Sequence, residues 1–132
     1  MTFEKDIRRA YIDTILDGGY TRLADKTTNP TEGYIVGGLV EPTTMHAEVD
    51  GSAYADVNAH FAGFTKLWHK YEMQLDEMPF PSGLGVGTWI HEGQIYFDLV
   101  QHLYNLDGAT DIAKQRGEIA IYDCKNQKDI LL

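Results

Sequence analysis

Cysteine, serine and long apolar runs are all scarce in this chain of 132 residues. A single cysteine, Cys124, cannot form an internal disulfide or a thiolate metal cluster. The two serines, Ser52 and Ser82, lie where a helix start and a Pro-Ser-Gly turn already explain them, so we expect no covalent serine catalysis. No apolar run approaches the ~20 residues that a bilayer-spanning helix needs, so we expect no membrane span.

Basic residues are also scarce. The chain has 11 lysines and arginines against 20 acids, and its net charge of −9 argues against nucleic-acid binding through a basic patch. No lysine or arginine occurs from Tyr71 to Ala113, where all the charged residues are acids. These acids are Glu72, Asp76, Glu77, Glu92, Asp98, Asp107 and Asp111. We predict that they form an acidic surface that binds a basic partner; the alternative is a solvated face that only keeps the protein soluble.

Length and composition predict a single domain covering residues 1–132. The segment MTFEKDIRRAYIDTIL mixes acids with bases and lacks the uninterrupted apolar stretch of a signal peptide. We therefore expect the protein to stay in the cytoplasm.

Helical periodicity is present in two places. Phe3, Ile7, Tyr11 and Ile15 recur every four residues and predict a helix over 3–17, ended by Gly18. The segment 18–51 is less regular: TRLADKTTNPTEG predicts a loop, YIVGGLV predicts a strand over 34–40 that its glycine pair weakens, and 41–51 is a loop or a ragged strand.

The strongest periodic signal predicts a long helix over 52–76, capped by Asp50 or Ser52. Its apolar positions follow each other in steps of three and four. They are Tyr54, Val57, Phe61, Phe64, Trp68, Tyr71 and Leu75. We predict that this seam packs on the domain's own sheet; the alternative is a homo-oligomer formed through the Tyr54–Leu75 helix.

The C-terminal half predicts a β-hairpin, a short helix and a closing strand. Runs 86–90 and 95–100 flank the turn HEGQ, and Trp89 is predicted to share a face with Val or Thr two positions away and to pack on the long helix. Asp107 can cap a helix over 108–116 that Gly117 ends. EIAIYD predicts a strand, and DILL an edge. The fold class is therefore α+β, with a small antiparallel or mixed sheet and helices on one face.

Glycines and histidines suggest two further sites. GLGVG, residues 83–87, alternates glycines, but a strand follows it where a phosphate-binding loop would open a helix, so we expect a flexible entry to the hairpin. The five histidines have no zinc-type spacing, and we expect neither a metal nor another cofactor. They are His46, His60, His69, His91 and His102.

The segment GTWIHEGQIYFDLVQHLYNLDGATDIAKQRGEIAIYD resembles the C-terminal part of small accessory proteins encoded by bacteriophages and related mobile elements. In that family a GTW strand, an acidic or glycine turn, a Y-x-D strand, a helix with spaced alanines and a GExAIYD strand recur. The matching positions are Gly87, Thr88, Trp89, Gly93, Tyr96, Asp98, Ala109, Ala113, Gly117, Glu118, Ala120, Ile121, Tyr122 and Asp123. The resemblance implies a viral or mobile-element origin, in which case the cytoplasm would be that of the host cell, and it assigns no catalytic residue.

Small non-enzymatic phage proteins often bind and block a host factor. The resemblance and the acidic run together predict an accessory protein that binds and inhibits a host protein, such as a CRISPR-type component of antiviral defence with a basic nucleic-acid-binding surface. Two alternatives stay open. One is a small-molecule or nucleotide-signal binding protein or enzyme that uses the glycine-rich segment 83–87, and the other is a homo-oligomeric structural or assembly protein.

Overall fold

The computed structural model describes residues 4–49 and 56–132, with three helices and seven strands in that part of the chain. In chain order these are α1 (Glu4–Asp17), β1 (Gly19–Leu23), β2 (Tyr34–Val36), β3 (Thr43–His46), α2 (Val57–Asp76), β4 (Leu84–His91), β5 (Gln94–Leu103), α3 (Leu106–Gln115), β6 (Ala120–Asp123) and β7 (Lys128–Leu131). The predicted α+β class, with its hairpin and its helices, is confirmed.

The sheet is built around β5. Every pairing between named strands is antiparallel, and the strand order is β1-β4-β5-β2-β6-β7. One edge of β5 pairs with β4 along the hairpin. The other edge changes partner along its length: residues 94–97 pair with β3, and residues 101–103 pair with β2. A gap between β3 and β2 therefore lies beside the middle of β5.

The hairpin turn is the one that the sequence predicts. Glu92 and Gly93 connect β4 to β5, and both have positive φ, at 50° and 78°. Two positive φ values are what the tight two-residue turn of a right-twisted hairpin requires. The turn fixes the register, which pairs His91 with Gln94 and Leu84 with Gln101.

α2 packs the later part of its seam, from Phe64 to Leu75, on the domain's own sheet, as predicted, but Val57 at the start of the helix is 61% exposed. Its buried residues are His60, Phe64, Trp68, Tyr71 and Leu75. Phe64 contacts Phe97 of β5 edge to face, with ring centroids 5.0 Å apart. The helix begins later than expected, because Asp56 caps it by accepting a 2.8 Å hydrogen bond from the N–H of Ala59. The predicted caps Asp50 and Ser52, together with Tyr54, lie outside the described residues.

α3 packs on the same face of the sheet. Its Ala109 and Ala113 contact Val36 and Ile121 in a second apolar cluster. Val36 pairs with Gln101. Side chains alternate between the two faces along β5, so Gln101 and its partner Val36 lie on the same face as Leu99, which belongs to the main core. The predicted Asp107 cap is wrong: the side chain of Asn105, one position before the helix, accepts the N–H of Gly108 at 2.8 Å. Gly117 follows the helix with φ +72°, as predicted.

The segment predicted as a loop after α1 contains a strand. β1 pairs with residues 85–89 of β4, and Gly19 allows this approach because a Cβ there would lie 2.9 Å from the carbonyl oxygen of Thr88. The predicted strand over 34–40 ends at Val36, before the glycine pair, and β3 accounts for the ragged stretch. DILL forms the edge strand β7, as expected.

None of the helices in the described ranges combines the length and apolar character that crossing a membrane would require.

Candidate functional site

The seven acids of the predicted binding surface lie in separate places. Asp76 and Glu77 are exposed at the C-terminal end of α2, whereas Glu92 is exposed in the hairpin turn at the far end of β4. A strand of eight residues is ~26 Å long, so these two groups lie at opposite ends of the sheet. Asp107 and Asp111 are exposed on α3. The acids therefore do not form one continuous surface.

The end of α2 combines acids with exposed apolar side chains. Met73 is 63% exposed and Phe80 is 85% exposed. Asp76 and Glu77 follow Met73 by three and four positions, so all three share one side of the helix end. In the described part of the chain, neither carboxylate lies within 4.0 Å of a lysine, arginine or histidine nitrogen. We call Met73, Asp76, Glu77 and Phe80 the α2-end surface.

Local sequence explains why these side chains stay exposed. The N–H of Glu77 donates to carbonyls of the last helical turn, and the N–H of Met78 donates to the carbonyl of Leu75 at 3.0 Å, so the helix closes by tight turns. Pro79 and Pro81 prevent any continuation of the helix. Phe80 is held between the two prolines, outside the core to which the preceding α2 seam belongs.

The other acids differ in environment. Glu72 is half-buried and contacts His69 at 3.3 Å, with Oε1 facing Nδ1. Glu92 is 3.6 Å from Nε2 of His91. Asp107 lies in the first turn of α3, where a carboxylate stabilises the helix by interacting with its dipole. Asp107 therefore has a structural role whether or not a partner binds there.

Trp89 is not the core tryptophan that the sequence analysis expects. It is half-buried, and its ring stacks on His91 and lies against Tyr96, with centroids 5.1 and 5.3 Å away. Alternation along β4 directs Thr88 and Ile90 toward α1 and α2 and Trp89 to the opposite face. The residues two positions from Trp89 are Gly87 and His91, so no Val or Thr shares its face at that distance. Trp68 of α2 occupies the core.

Asp98 is interior, unlike the other six acids. It is 8% exposed and lies in the gap between β3 and β2. Its Oδ2 accepts a 2.6 Å hydrogen bond from the N–H of Gly38, whereas its Oδ1 has no hydrogen-bond partner in the described part of the chain. A carboxylate in this position is not available to a partner that docks on the surface.

Two charged residues, Glu118 and Arg116, lie beside Asp98 at the gap between β3 and β2. A Cβ built on Gly37 would lie 2.7 Å from Oδ2 of Asp98 and 2.9 Å from Oε1 of Glu118, so the two carboxylates approach each other across the glycine. Arg116 donates to the carbonyl of Gly37 at 3.2 Å and to the side chain of Gln101 at 2.7 Å. We call this group, with Asp98, the gap cluster.

Burial is the main electrostatic influence on the gap cluster. It raises the pKa of Asp98 to about 6; Glu118 acts in the same direction, and the Gly38 N–H and Arg116 oppose it. Burial also raises the pKa of Glu118 and lowers that of Arg116. Sequence reasoning missed Glu118 and Arg116 as neighbours of Asp98, because a loop far away in sequence brings them together.

Two of the five histidines are held by hydrogen bonds to backbone carbonyls. His60 is buried, with Nε2 donating to the carbonyl of His46 at 2.8 Å and Nδ1 2.6 Å from the hydroxyl of Tyr11. His102 donates to the carbonyl of Glu32 at 2.7 Å. Within residues 4–49 and 56–132, no three histidine, cysteine, aspartate or glutamate side chains gather as possible metal ligands. Burial raises the pKa of the Cys124 thiol to about 11, which disfavours the reactive thiolate.

The glycine-rich segment 83–87 is a strand rather than a flexible loop. Residues 84–87 belong to β4, and only Gly83, with φ +77°, lies in a turn. A Cβ on Gly85 would lie 2.5 Å from the carbonyl oxygen of Arg22, and a Cβ on Gly87 would lie 2.6 Å from Val100. Glycine is therefore required here for close packing within the sheet, and the backbone N–H groups do not form a phosphate cradle.

Comparison of the chain with protein-family models, with curated proteins and with solved structures found no match.

Proposed function

We propose that this chain is an acidic binding protein, and that its partner is a host protein with a basic surface of the kind that holds nucleic acid. The observation that carries the proposal is the α2-end surface. There, two carboxylates without a cation partner in the described part of the chain lie next to an exposed methionine and an exposed phenylalanine.

Each part of this surface has a function in binding. The carboxylates of Asp76 and Glu77 would attract the basic partner and orient it, because opposite charges increase the association rate and fix the docking geometry. Phe80 and Met73 would supply apolar contact area, and both are residue types that are enriched in protein interfaces. An unbranched methionine also adapts its shape to the surface that it meets.

The resemblance of residues 85–123 to phage accessory proteins supports a host protein as the partner, for example a CRISPR-type component of antiviral defence. Inhibition would follow if the α2-end surface occupies the site at which the partner binds nucleic acid. This mechanism needs no catalytic residue, and the proposal is that the protein is not an enzyme. Glu92, Asp107 and Asp111 would add to the long-range negative field without contacting the same patch.

The experiment compares two charge reversals as baits in a bacterial host lysate. In the first bait Asp76 and Glu77 are both changed to lysine, and in the control Asp111 is changed to lysine on α3. We expect the first bait to lose proteins that the wild type and the control retain, because like charges facing each other across an interface cost several kcal/mol. Glu92→Lys, tested alone, should behave like the control.

Two further measurements complete the test. Circular dichroism should show that the reversed variants are folded, because exposed charges each contribute only ~0–1 kcal/mol to stability. Binding of the captured protein should weaken steeply as salt rises above about 0.15 M, where the screening length is ~8 Å. If the folded Asp76→Lys/Glu77→Lys variant retains the same partner, the α2-end surface is not the binding site.

A further inference from the structure

A cavity of about 220 Å³ opens between the end of β1 and the C-terminal half of α2. Liquid water takes ~30 Å³ per molecule, so the cavity has room for about seven waters or for one small organic molecule. Apolar side chains form part of its lining, including Leu75 and Val86. We call it the β1–α2 cavity.

The charges of the β1–α2 cavity have opposite signs on its two walls. Arg22 and Lys26 come from β1 and the turn after it, and Glu72 and Asp76 come from α2. Arg22 is 3.6 Å from Asp6, and Glu72 is 3.3 Å from His69.

Lys26 and Asp76 are held apart. Among the described residues, neither lies within 4.0 Å of an oppositely charged group, although both line the same cavity. The backbone of Lys26 has φ 74° in a tight turn, in which its N–H donates to the carbonyl of Leu23 at 2.8 Å. The turn fixes the base of this side chain on the wall opposite α2.

Trp68 also lines the cavity, but its indole nitrogen lies beneath the surface. Trp68 is 1% exposed, and its indole Nε1–H has no acceptor in the described part of the chain. The cavity therefore combines a cation, an anion and an apolar wall.

We infer that the β1–α2 cavity binds a small zwitterion, namely a free α-amino acid with an apolar side chain. Its carboxylate would accept from Lys26. Its ammonium group would donate to Asp76, with Glu72 nearby, and its side chain would lie against the apolar part of the lining. This inference does not depend on the proposed partner, because its test uses the isolated protein.

The test follows the indole N–H resonances of ¹⁵N-labelled protein during titration with L-leucine up to about 10 mM, which detects affinities in the millimolar range. The chain has two tryptophans, so a Trp89→Phe variant identifies the Trp68 resonance. We expect the Trp68 resonance to move and saturate while that of Trp89 stays in place. Leucinamide, which lacks the carboxylate, and 4-methylpentanoate, which lacks the ammonium group, should each bind about tenfold more weakly.

Exposed variants give the matched controls. Lys26→Met and Asp76→Asn should each weaken L-leucine binding about tenfold, the expected effect of losing one charge-assisted hydrogen bond. Lys114→Met and Asp111→Asn, which make the same changes on α3, should leave it unchanged. The inference is overturned if L-leucine does not shift the Trp68 resonance, or if leucinamide or 4-methylpentanoate binds as well as the amino acid. Equal binding by either analogue would indicate a site for a single charge.

Discussion

The N–H of Gly38 donates a 2.6 Å hydrogen bond to Oδ2 of Asp98, and this bond joins the β2–β3 connection to the middle of the central strand. The connection leaves the edge of β5 after Val36 and returns to it at Thr43. Asp98 lies in the space between these two points. It holds the connection in place, but it does so with a carboxyl group that burial disfavours in its charged form.

Asp98 should make the protein less stable as pH rises. The folded-state pKa is about 6, and the value for an unfolded chain is ~3.9. Between these values the folded state holds a proton that the unfolded chain has released, so the contribution is fully present below about pH 4 and is lost as pH rises through about 6. The difference corresponds to something on the order of 3 kcal/mol.

Asp98→Asn tests this directly, because its side-chain oxygen can still accept from Gly38. Urea unfolding between about pH 4 and pH 8 should show that the variant gains stability relative to wild type as pH rises, by ~2–3 kcal/mol across the range. Asp111→Asn should show no such gain. Parallel curves for wild type and Asp98→Asn would mean that folding does not raise the pKa of this carboxyl.

The two tryptophans should differ in their contribution to stability. Trp68→Ala removes a fully buried ring that stacks on Phe64 and should cost ~3–5 kcal/mol. Trp89→Ala removes a half-buried ring from the opposite face and should cost about 1–2 kcal/mol, within the range of ordinary substitutions. Equilibrium urea unfolding measures both. An equal loss for the two variants would contradict the position of Trp89.

Glycine-to-alanine substitutions at Gly85 and Gly108 should change the stability of the protein in opposite directions. In Gly85→Ala the new Cβ would lie 2.5 Å from the backbone oxygen of Arg22, so β1 must shift, and we expect a cost of about 1–3 kcal/mol. In Gly108→Ala the Cβ meets ordinary contacts inside α3, and the helix should gain up to ~1 kcal/mol. Thermal unfolding would disprove this interpretation of β4 if Gly85→Ala were as stable as wild type.

The hydroxyl of Tyr11 should stabilise the packing of α1 on α2. Nε2 of His60 donates to a carbonyl, and in the tautomer that carries its proton there Nδ1 accepts from Tyr11 at 2.6 Å. Tyr11→Phe should therefore cost ~1 kcal/mol or more, depending on how the ring nitrogen is then solvated. Tyr104→Phe is the control, because Tyr104 is exposed. Identical urea midpoints for the two variants would show that the hydrogen bond contributes nothing to stability.

Local patterns in the sequence were sufficient to predict the helices and the hairpin. The steps of three and four along α2 predict its buried side, and Glu92-Gly93 predicts the turn, because both depend on neighbours in the chain. β1 and the gap cluster depend on pairing with distant residues. Asp98 differs from the other acids of the run because it lies inside the predicted strand 95–100. The strand pattern alone does not show that this face is covered, and the burial of Asp98 follows from the change of partner along β5.

The change of pairing partner along β5 also determines the order in which the strands form during folding. The β4–β5 hairpin closes through a two-residue turn, whereas the other edge of β5 must wait for strands that are far away in sequence, as in the pairing of Tyr34 with Leu103. Closing large loops slows folding, so we expect the hairpin to form first and to act as the template for β2 and β3. In pulse-labelling hydrogen exchange, amides of Trp89 and Tyr96, which pair across the hairpin, should gain protection before that of Val36, and the reverse order would rule out this folding sequence.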